Sequence, residues 1–390
     1  MTTSQPIFPF TVLQIVPELA TGGAERTTLE VSAAIIAAGG RAIVWSAGGR
    51  LVPELQAMGA SHYQGPANSK NPWDMFIANP ARLRDIIRHE KVDVVHARSR
   101  APAWSGLIAA RQSKTKFVTT YHGIYASKSA AKRWYNSVMV RSDAIIANSN
   151  FTKAHLIAQH GTDANKVTVI YRGVDVVAFD PAAIDPMKRS ALAHQWGLSL
   201  SRSRLRIILP ARLTDWKGQK ILIAALGKLK QSGLDFEALL VGDSQGRDVY
   251  VKGLHDQIRQ AELQDQVLLV GHCSDMPTAF SLCDIAVTPS IEAEAFGRTA
   301  AEAQAMGLPI IASDLGGARE TVEHGVTGYL SPPGDVAALS ANLRTLLDMP
   351  LDARNTMGAA GSARIRALFT TEFLQRDTLS LYQRVLRSDV

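Results

Sequence analysis

Residues 205–243 read LRIILPARLTDWKGQKILIAALGKLKQSGLDFEALLVGD. The stretch opens on an apolar run too short for a helix and continues through a polar loop. Apolar residues then recur at helical spacing and stop at Gly233, and a second apolar run, FEALLV, follows. This pattern predicts strand, helix, strand, with a crossover that makes the two strands parallel neighbours. The rhythm repeats outward. Downstream lie a helix over 247–263 and the short buried strands QVLLVG (266–271), DIAVTPS (284–290) and PIIASD (309–314). Upstream, VLQIV (12–16), RAIVWSA (41–47), VDVVHA (92–97), FVTTYHG (117–123), DAIIANS (143–149) and VTVIYRGVD (167–175) alternate with helical segments at 22–40 and 80–93. The fold class predicted is α/β, with two doubly wound parallel sheets.

The 390 residues exceed one ordinary core and suit two domains. Between the two runs of strands lies DPAAIDPMKRSALAHQWGLSLSRSR (180–204), whose prolines, serines and weak periodicity predict a linker plus a short helix. The reading is a first domain over 1–185, a linker over 186–203, a second domain over 204–365, and a C-terminal helix over 366–390 that returns to the first. Open α/β sheets bind ligands at the carboxyl ends of their strands, so a cleft between the domains is the expected site.

Composition narrows the classes. Two cysteines, Cys273 and Cys283, make neither a disulfide framework nor a zinc site. No apolar run reaches membrane-spanning length, and the N-terminus reads as a first strand rather than a signal peptide. A cytoplasmic protein is expected. Residues 1–185 hold 20 Lys+Arg against 13 Asp+Glu, and the remainder 22 against 22. Between Asp93 and Asp143 there is no acidic residue and there are nine basic ones, among them Arg98, Arg100, Lys128, Lys132, Arg133 and Arg141. Such a run is either a solvated face or a surface for an anionic acceptor or membrane leaflet. SAAKRWYNSVMVR (129–141) fits an interfacial helix carrying Trp134, Tyr135, Val138 and Met139, and fits a core-facing one equally well.

The chemistry concentrates in a few segments. In EAFGRTAAEAQAMGLP (294–309), Gly307-Leu-Pro stops a helix that begins near Arg298, which leaves Glu294 in the loop before it. On one continuous helix, Glu294 and Glu302 would stand roughly 12 Å apart along the axis. Gly297 at the entrance lets a ligand approach the backbone, and the free N–H groups there favour a phosphate. Arg212 and Lys217, just past a strand end, match the two charges of a diphosphate. Gly22 and Gly23 in TGGAER sit between the first strand and first helix. They fit neither the dinucleotide-binding fingerprint nor a P-loop. His122 ends the strand TTYHG, and His96 ends VDVVHA. Asp-x-Asp is absent, so no metal-dependent diphosphate site is indicated.

Taken in order, TGGAER, TYHG, ANSNFTK, YRGVD, ARLTDWKGQ, EAFGRTAAE and GLPIIASDLGGARETVEHGVTGYLSPPGD resemble the motifs of glycosyltransferase family four over nearly the whole chain. The resemblance implies the GT-B fold, two Rossmann-like domains, and retaining transfer from a nucleotide-diphosphate sugar without a metal or other cofactor. It implies that Arg212 and Lys217 hold the diphosphate, Glu302 the ribose and Glu294 the transferred sugar. Phe296, Gly297 and Arg298 would offer backbone amides, Gly22 and Gly23 would approach the phosphate, and His122 the sugar near its anomeric carbon. Arg172 stands where the family commonly has Asn, and VGDSQGR replaces its usual Gly-x-Gly-Pro run. Arg98, Arg100 and Arg172 are the expected contacts to an anionic, lipid-linked or other saccharide acceptor. No nucleic acid partner is expected. The product would be lipopolysaccharide or surface polysaccharide, and the enzyme would sit on the inner face of the cytoplasmic membrane. A sugar-nucleotide epimerase of the same fold, or a donor-binding subunit without turnover, are the alternatives.

Overall fold

A computed structural model describes residues 9–20, 22–125 and 129–387. Thr21 of the glycine loop and Lys128 of the basic run lie outside the described residues. The chain divides into two compact units. One takes the chain up to Gly173 and again from Thr371; the other is Val174–Thr370.

The first unit holds a seven-stranded sheet of β1 (Thr11–Ile15), β2 (Arg41–Ser46), β3 (Ser61–Gln64), β4 (Val94–Ala97), β5 (Lys116–Tyr121), β6 (Ala144–Ala147) and β7 (Val167–Val169). Their spatial order is β3-β2-β1-β4-β5-β6-β7, with parallel pairing throughout. Successive side chains of a strand point to opposite faces, so the sheet serves two cores. Leu13, Ile15, Ile43, Trp45, Val95 and Phe117 join one apolar cluster. Val12, Val44, Val94 and Val118 join the other, where the helix Gly23–Ala37 and the final helix Thr371–Arg387 also pack. Leu374, Tyr382 and Val385 anchor that final helix. Burial on both faces is why these strands read as continuous apolar runs.

The second unit repeats the plan with six parallel strands, β8 (Leu205–Pro210), β9 (Phe236–Val241), β10 (Val267–Gly271), β11 (Ile285–Thr288), β12 (Ile310–Ser313) and β13 (Gly328–Ser331), in the order β10-β9-β8-β11-β12-β13. Each sheet reverses its winding once, between β1 and β4 and between β8 and β11. Such switch points leave a crevice at the strands' carboxyl ends. Past β1 and β4, the loops carry Gly22 and Arg98, and the helices that follow open on Gly23 and Arg100. The loops after β8 and β11 carry Arg212, Lys217, Glu294 and Gly297.

The divisions fall at 173/174 and 370/371, ahead of the 185/186 boundary and beyond the 365/366 boundary read from sequence. The short helix expected in the linker segment is Pro186–Gln195, capped by the Asp185 carboxylate on the Met187 N–H. Ala193, Trp196 and Leu198 are buried in the core of the second unit, so this segment packs rather than tethers. The helical tail is two helices, Leu351–Leu368 and Thr371–Arg387, and the division between units falls in the short break between them.

Candidate functional site

In the second unit, the loop after β8 carries Arg212 and Lys217. Arg212 is exposed, and its carbonyl accepts a hydrogen bond from Gln219 at 2.9 Å. Lys217 Nζ donates to Glu294 Oε1 at 2.8 Å and lies 4.2 Å from the centre of the Trp216 ring. Ser290 Oγ donates to the same carboxylate oxygen at 2.5 Å. The Lys217 and Glu294 side chains are 13% and 21% exposed, so the pair is largely shielded from water yet keeps some contact with it.

Glu294 precedes the helix Arg298–Ala305, whose N-cap is Gly297. At φ 84° Gly297 is left-handed, a conformation that turns the chain sharply into the helix and that glycine adopts without strain. The Glu294–Phe296 loop rests on a second loop. The Gly317 N–H donates to the Glu294 carbonyl at 2.9 Å. A Cβ on Gly316 would stand 2.5 Å from that carbonyl oxygen, and one on Gly317 2.5 Å from Phe296 Cα. The glycine pair of DLGGARE is therefore the seat of the Glu294–Phe296 loop. A small pocket opens here, lined by Ser290, Glu294, Gly297, Thr299, Ser313 and Ala318. A helix N-terminus at this pocket, with Lys217 on Glu294 beside it, suits a phosphorylated ligand. Glu302 accepts from Arg298 Nε at 2.8 Å one turn along. The Phe296 side chain is buried against Phe369, which leaves only its backbone for a ligand.

In the first unit, the loops after β1, β4, β5 and β7 supply the other residues. His122 follows β5, and Arg172 Nη2 donates to its Nδ1 at 3.0 Å. Asn148 Nδ2 lies 3.4 Å from the same nitrogen. Burial first, then the charges of Arg172 and Arg98 and the His96 ring, hold the His122 pKa well below that of a free histidine. The space above Gly23 is occupied: a Cβ there would meet Arg172 Nη1 at 2.0 Å, and one on Gly22 would meet the Glu25 carboxylate at 2.4 Å.

Arg98 does not lie on the surface that an acceptor contact requires. It is 2% exposed, and its Nε and Nη2 donate to Gln14 Oε1 at 3.0 and 2.6 Å. Gln14 in turn donates to Ser32 Oγ and the Thr28 carbonyl, so the guanidinium closes a buried polar network. Arg100 donates to Asn136 Oδ1 at 2.8 Å and stacks 4.1 Å over the Tyr125 ring. His96 is a core residue. Its ring bonds to the Tyr382 hydroxyl at 2.5 Å and the Thr120 hydroxyl at 2.7 Å. Val138 and Met139 are fully buried, so they are not the apolar side of an interfacial helix. Trp134 remains half-exposed, stacked on Trp104 at 4.4 Å, and Trp73 and Ile77 are exposed. Sequence reasoning passed over Gln14, Ser290 and Asn148. Of these, only Gln14 gave a signal, a polar residue inside the apolar run VLQIV.

Residues 196–364 match the family described as "Glycosyl transferases group 1", and residues 21–177 match "Glycosyltransferase Family 4". A glycosyltransferase of known structure from Rickettsia africae ESF-5 is 36% identical, with a TM-score of 0.88 over 97% of this chain and 99% of its own. HepE from Anabaena, solved in complex with UDP-glucose, is 26% identical, with a TM-score of 0.82 over 96% of this chain and 99% of its own. The D-inositol 3-phosphate glycosyltransferase of Xylanimonas cellulosilytica is 29% identical over 288 residues, 70% of this chain and 68% of that protein. The chain belongs to glycosyltransferase family four, an enzyme family whose GT-B fold its two Rossmann-like units display.

Proposed function

We propose that the enzyme takes its sugar from a nucleotide diphosphate and transfers it, with retention of anomeric configuration and without a metal ion, to an anionic, lipid-linked saccharide. The observation that carries this reading is the Lys217–Glu294 pair at the mouth of the helix Arg298–Ala305. A diphosphate supplies Lys217 with a better anion than the carboxylate it now holds, and Arg212 meets the second charge. Released by Lys217, Glu294 accepts hydrogen bonds from hydroxyls of the transferred sugar, and Glu302 accepts from the ribose. As the glycosidic bond breaks, the cations and helix amides stabilise charge gathering on the departing phosphate. The acceptor hydroxyl then attacks from the side the phosphate is leaving, and the phosphate takes its proton. This route retains configuration without a covalent intermediate on the protein.

The relative from Xylanimonas is named for a phosphorylated substrate, and the cationic balance of the first half of this chain suits an anionic acceptor. Trp73, Ile77 and Trp134 are exposed apolar groups, and Lys132 and Arg133 beside Trp134 are exposed cations. Among the described residues no helix is long and apolar enough to cross a membrane. We take this face to rest on the anionic inner leaflet of the cytoplasmic membrane, where a lipid-linked acceptor for lipopolysaccharide or surface polysaccharide would be made.

The test is incubation of the purified enzyme with nucleotide sugars and membrane extract, in the presence of a chelator. Transfer to lipid with the donor's anomeric configuration supports the reading. An isomerised donor identifies an epimerase instead, and binding without turnover a donor-binding subunit.

A further inference from the structure

The two histidines at the strand ends of the first unit are treated differently. Both ring nitrogens of His96 have hydroxyl partners. In His122 only Nδ1 is engaged, and Nε2 is buried with no partner among the described residues. A guanidinium can only donate. With Arg172 Nη2 at 3.0 Å, Nδ1 must therefore present its lone pair, and the ring proton belongs on Nε2. A proton on Nδ1 would set two N–H groups against each other. Arg172 reaches this place because residue 23 has no side chain, since a Cβ there would overlap its guanidinium. The glycine at the start of the helix Gly23–Ala37 thus admits an arginine of the same chain.

We propose that Arg172 is a positioning residue, admitted by Gly23, that holds His122 as the neutral Nε2–H tautomer and so makes the ring a donor to one substrate oxygen. The ligand group this calls for is a hydroxyl or phosphoryl oxygen, either of which accepts a hydrogen bond and satisfies a buried N–H. Held this way, the ring cannot act as a base through Nε2. That the oxygen belongs to a glycosyl donor or acceptor rests on the function proposed above; the tautomer does not. The other groups facing His122 are Asn148, whose Nδ2 lies 3.4 Å from Nδ1 and also favours a lone pair there, and Arg98 and His96, which like burial oppose an imidazolium without choosing between tautomers.

The test is nitrogen NMR of the full chain labelled at histidine, without ligand, with His122→Asn used to assign the signals. The wild type should show Nδ1 unprotonated and Nε2 protonated from neutral pH down to mildly acidic pH. Arg172→Met should shift the ring toward a mixture of tautomers, and Arg172→Lys, which keeps a donor, should restore the wild-type signals. Gly23→Ala should behave as Arg172→Met does, by displacing the guanidinium. In turnover, Arg172→Met should lower kcat roughly 10- to 100-fold, the worth of one charge-assisted hydrogen bond, with the KM for donor little changed. A wild-type ring protonated on Nδ1 overturns the proposal, as does an Arg172→Met ring unchanged in a folded protein. The wild-type spectrum decides even if a variant fails to fold. Predicted tautomers in a protein that transfers no sugar would refute the proposed function and leave this inference standing. Active transfer with a ring protonated on Nδ1 would do the reverse.

Discussion

Lys217, in the loop after β8, and Arg98, directly after β4, are both cations following a strand that borders a switch point, yet they are held in opposite ways. Lys217 leans on a carboxylate, that of Glu294, and both side chains keep some contact with water. Arg98 leans on a neutral amide, that of Gln14, and is sealed from water. In the proposed function the first arrangement is an exchangeable pair, in which an incoming phosphate replaces the carboxylate while the carboxylate turns to sugar hydroxyls. The second is a permanent part of the core, because leaving Gln14 Oε1 without its donor would cost about 1–3 kcal/mol. A cation beside a switch point can therefore be held loosely enough to exchange partners or sealed into the core, and its immediate partner decides which.

The comparison breaks most visibly at Glu294. Glu294→Ala removes the sugar contact and strands Lys217, so transfer should fall roughly 10²- to 10³-fold in kcat/KM. Steady-state rates within threefold of wild type would mean that the pair is only a surface ion pair. Lys217→Ala should weaken binding of a free nucleoside diphosphate roughly 10- to 100-fold by calorimetry, the worth of one charge-assisted hydrogen bond. Arg98→Met should act on stability instead, with a loss of about 1–3 kcal/mol seen as a lowered Tm. An Arg98 variant with an unchanged Tm would show that the guanidinium is not part of the core.

A smaller effect sharpens the contrast within the first unit. Burial, with Arg98 beside it, holds the His96 pKa well below its ordinary value. Below about pH 6.5 the unfolded chain takes up a proton at this residue that the folded chain refuses, so stability falls as pH falls. His96 should contribute a slope of at most about 1.4 kcal/mol per pH unit there and none above. Thermal melts of His96→Gln should show a flatter acid limb than wild type; an identical limb would place the acid sensitivity elsewhere. Lys132→Glu with Arg133→Glu should leave stability unchanged and weaken binding to anionic vesicles, read by cosedimentation, by about 1 kcal/mol per cation removed. If the wild type itself shows no salt-sensitive binding, the membrane face is disproved.

The architecture was legible because buried parallel strands need unbroken apolar runs, and LRIILP, FEALLV and VDVVHA have them. The edge strand Ser61–Gln64 escaped because its side chains, SHYQ, are half in water and carry no such signature. The helix Arg100–Ser113 escaped because RAPAWSGLIAA is small and apolar on nearly every side, which matches a helix packed deep between elements and gives no amphipathic stripe. In the candidate site, Glu294, Gly297 and Lys217 could be placed from the strand–loop–helix pattern, because a helix mouth after a strand end is a local feature. The state of each cation could not. Whether Arg98 is sealed beneath Gln14, or whether the space above Gly23 is filled by Arg172, depends on contacts between segments far apart in sequence. Charge counts are silent on such contacts.

The most direct measurement is a crystal of the enzyme soaked with a nucleotide-diphosphate sugar. The account predicts the diphosphate at the mouth of the helix Arg298–Ala305, within hydrogen-bonding distance of Lys217 Nζ, with the Lys217–Glu294 contact opened and Glu294 turned to the sugar. A ligand bound elsewhere, with Lys217 still on Glu294, would contradict it.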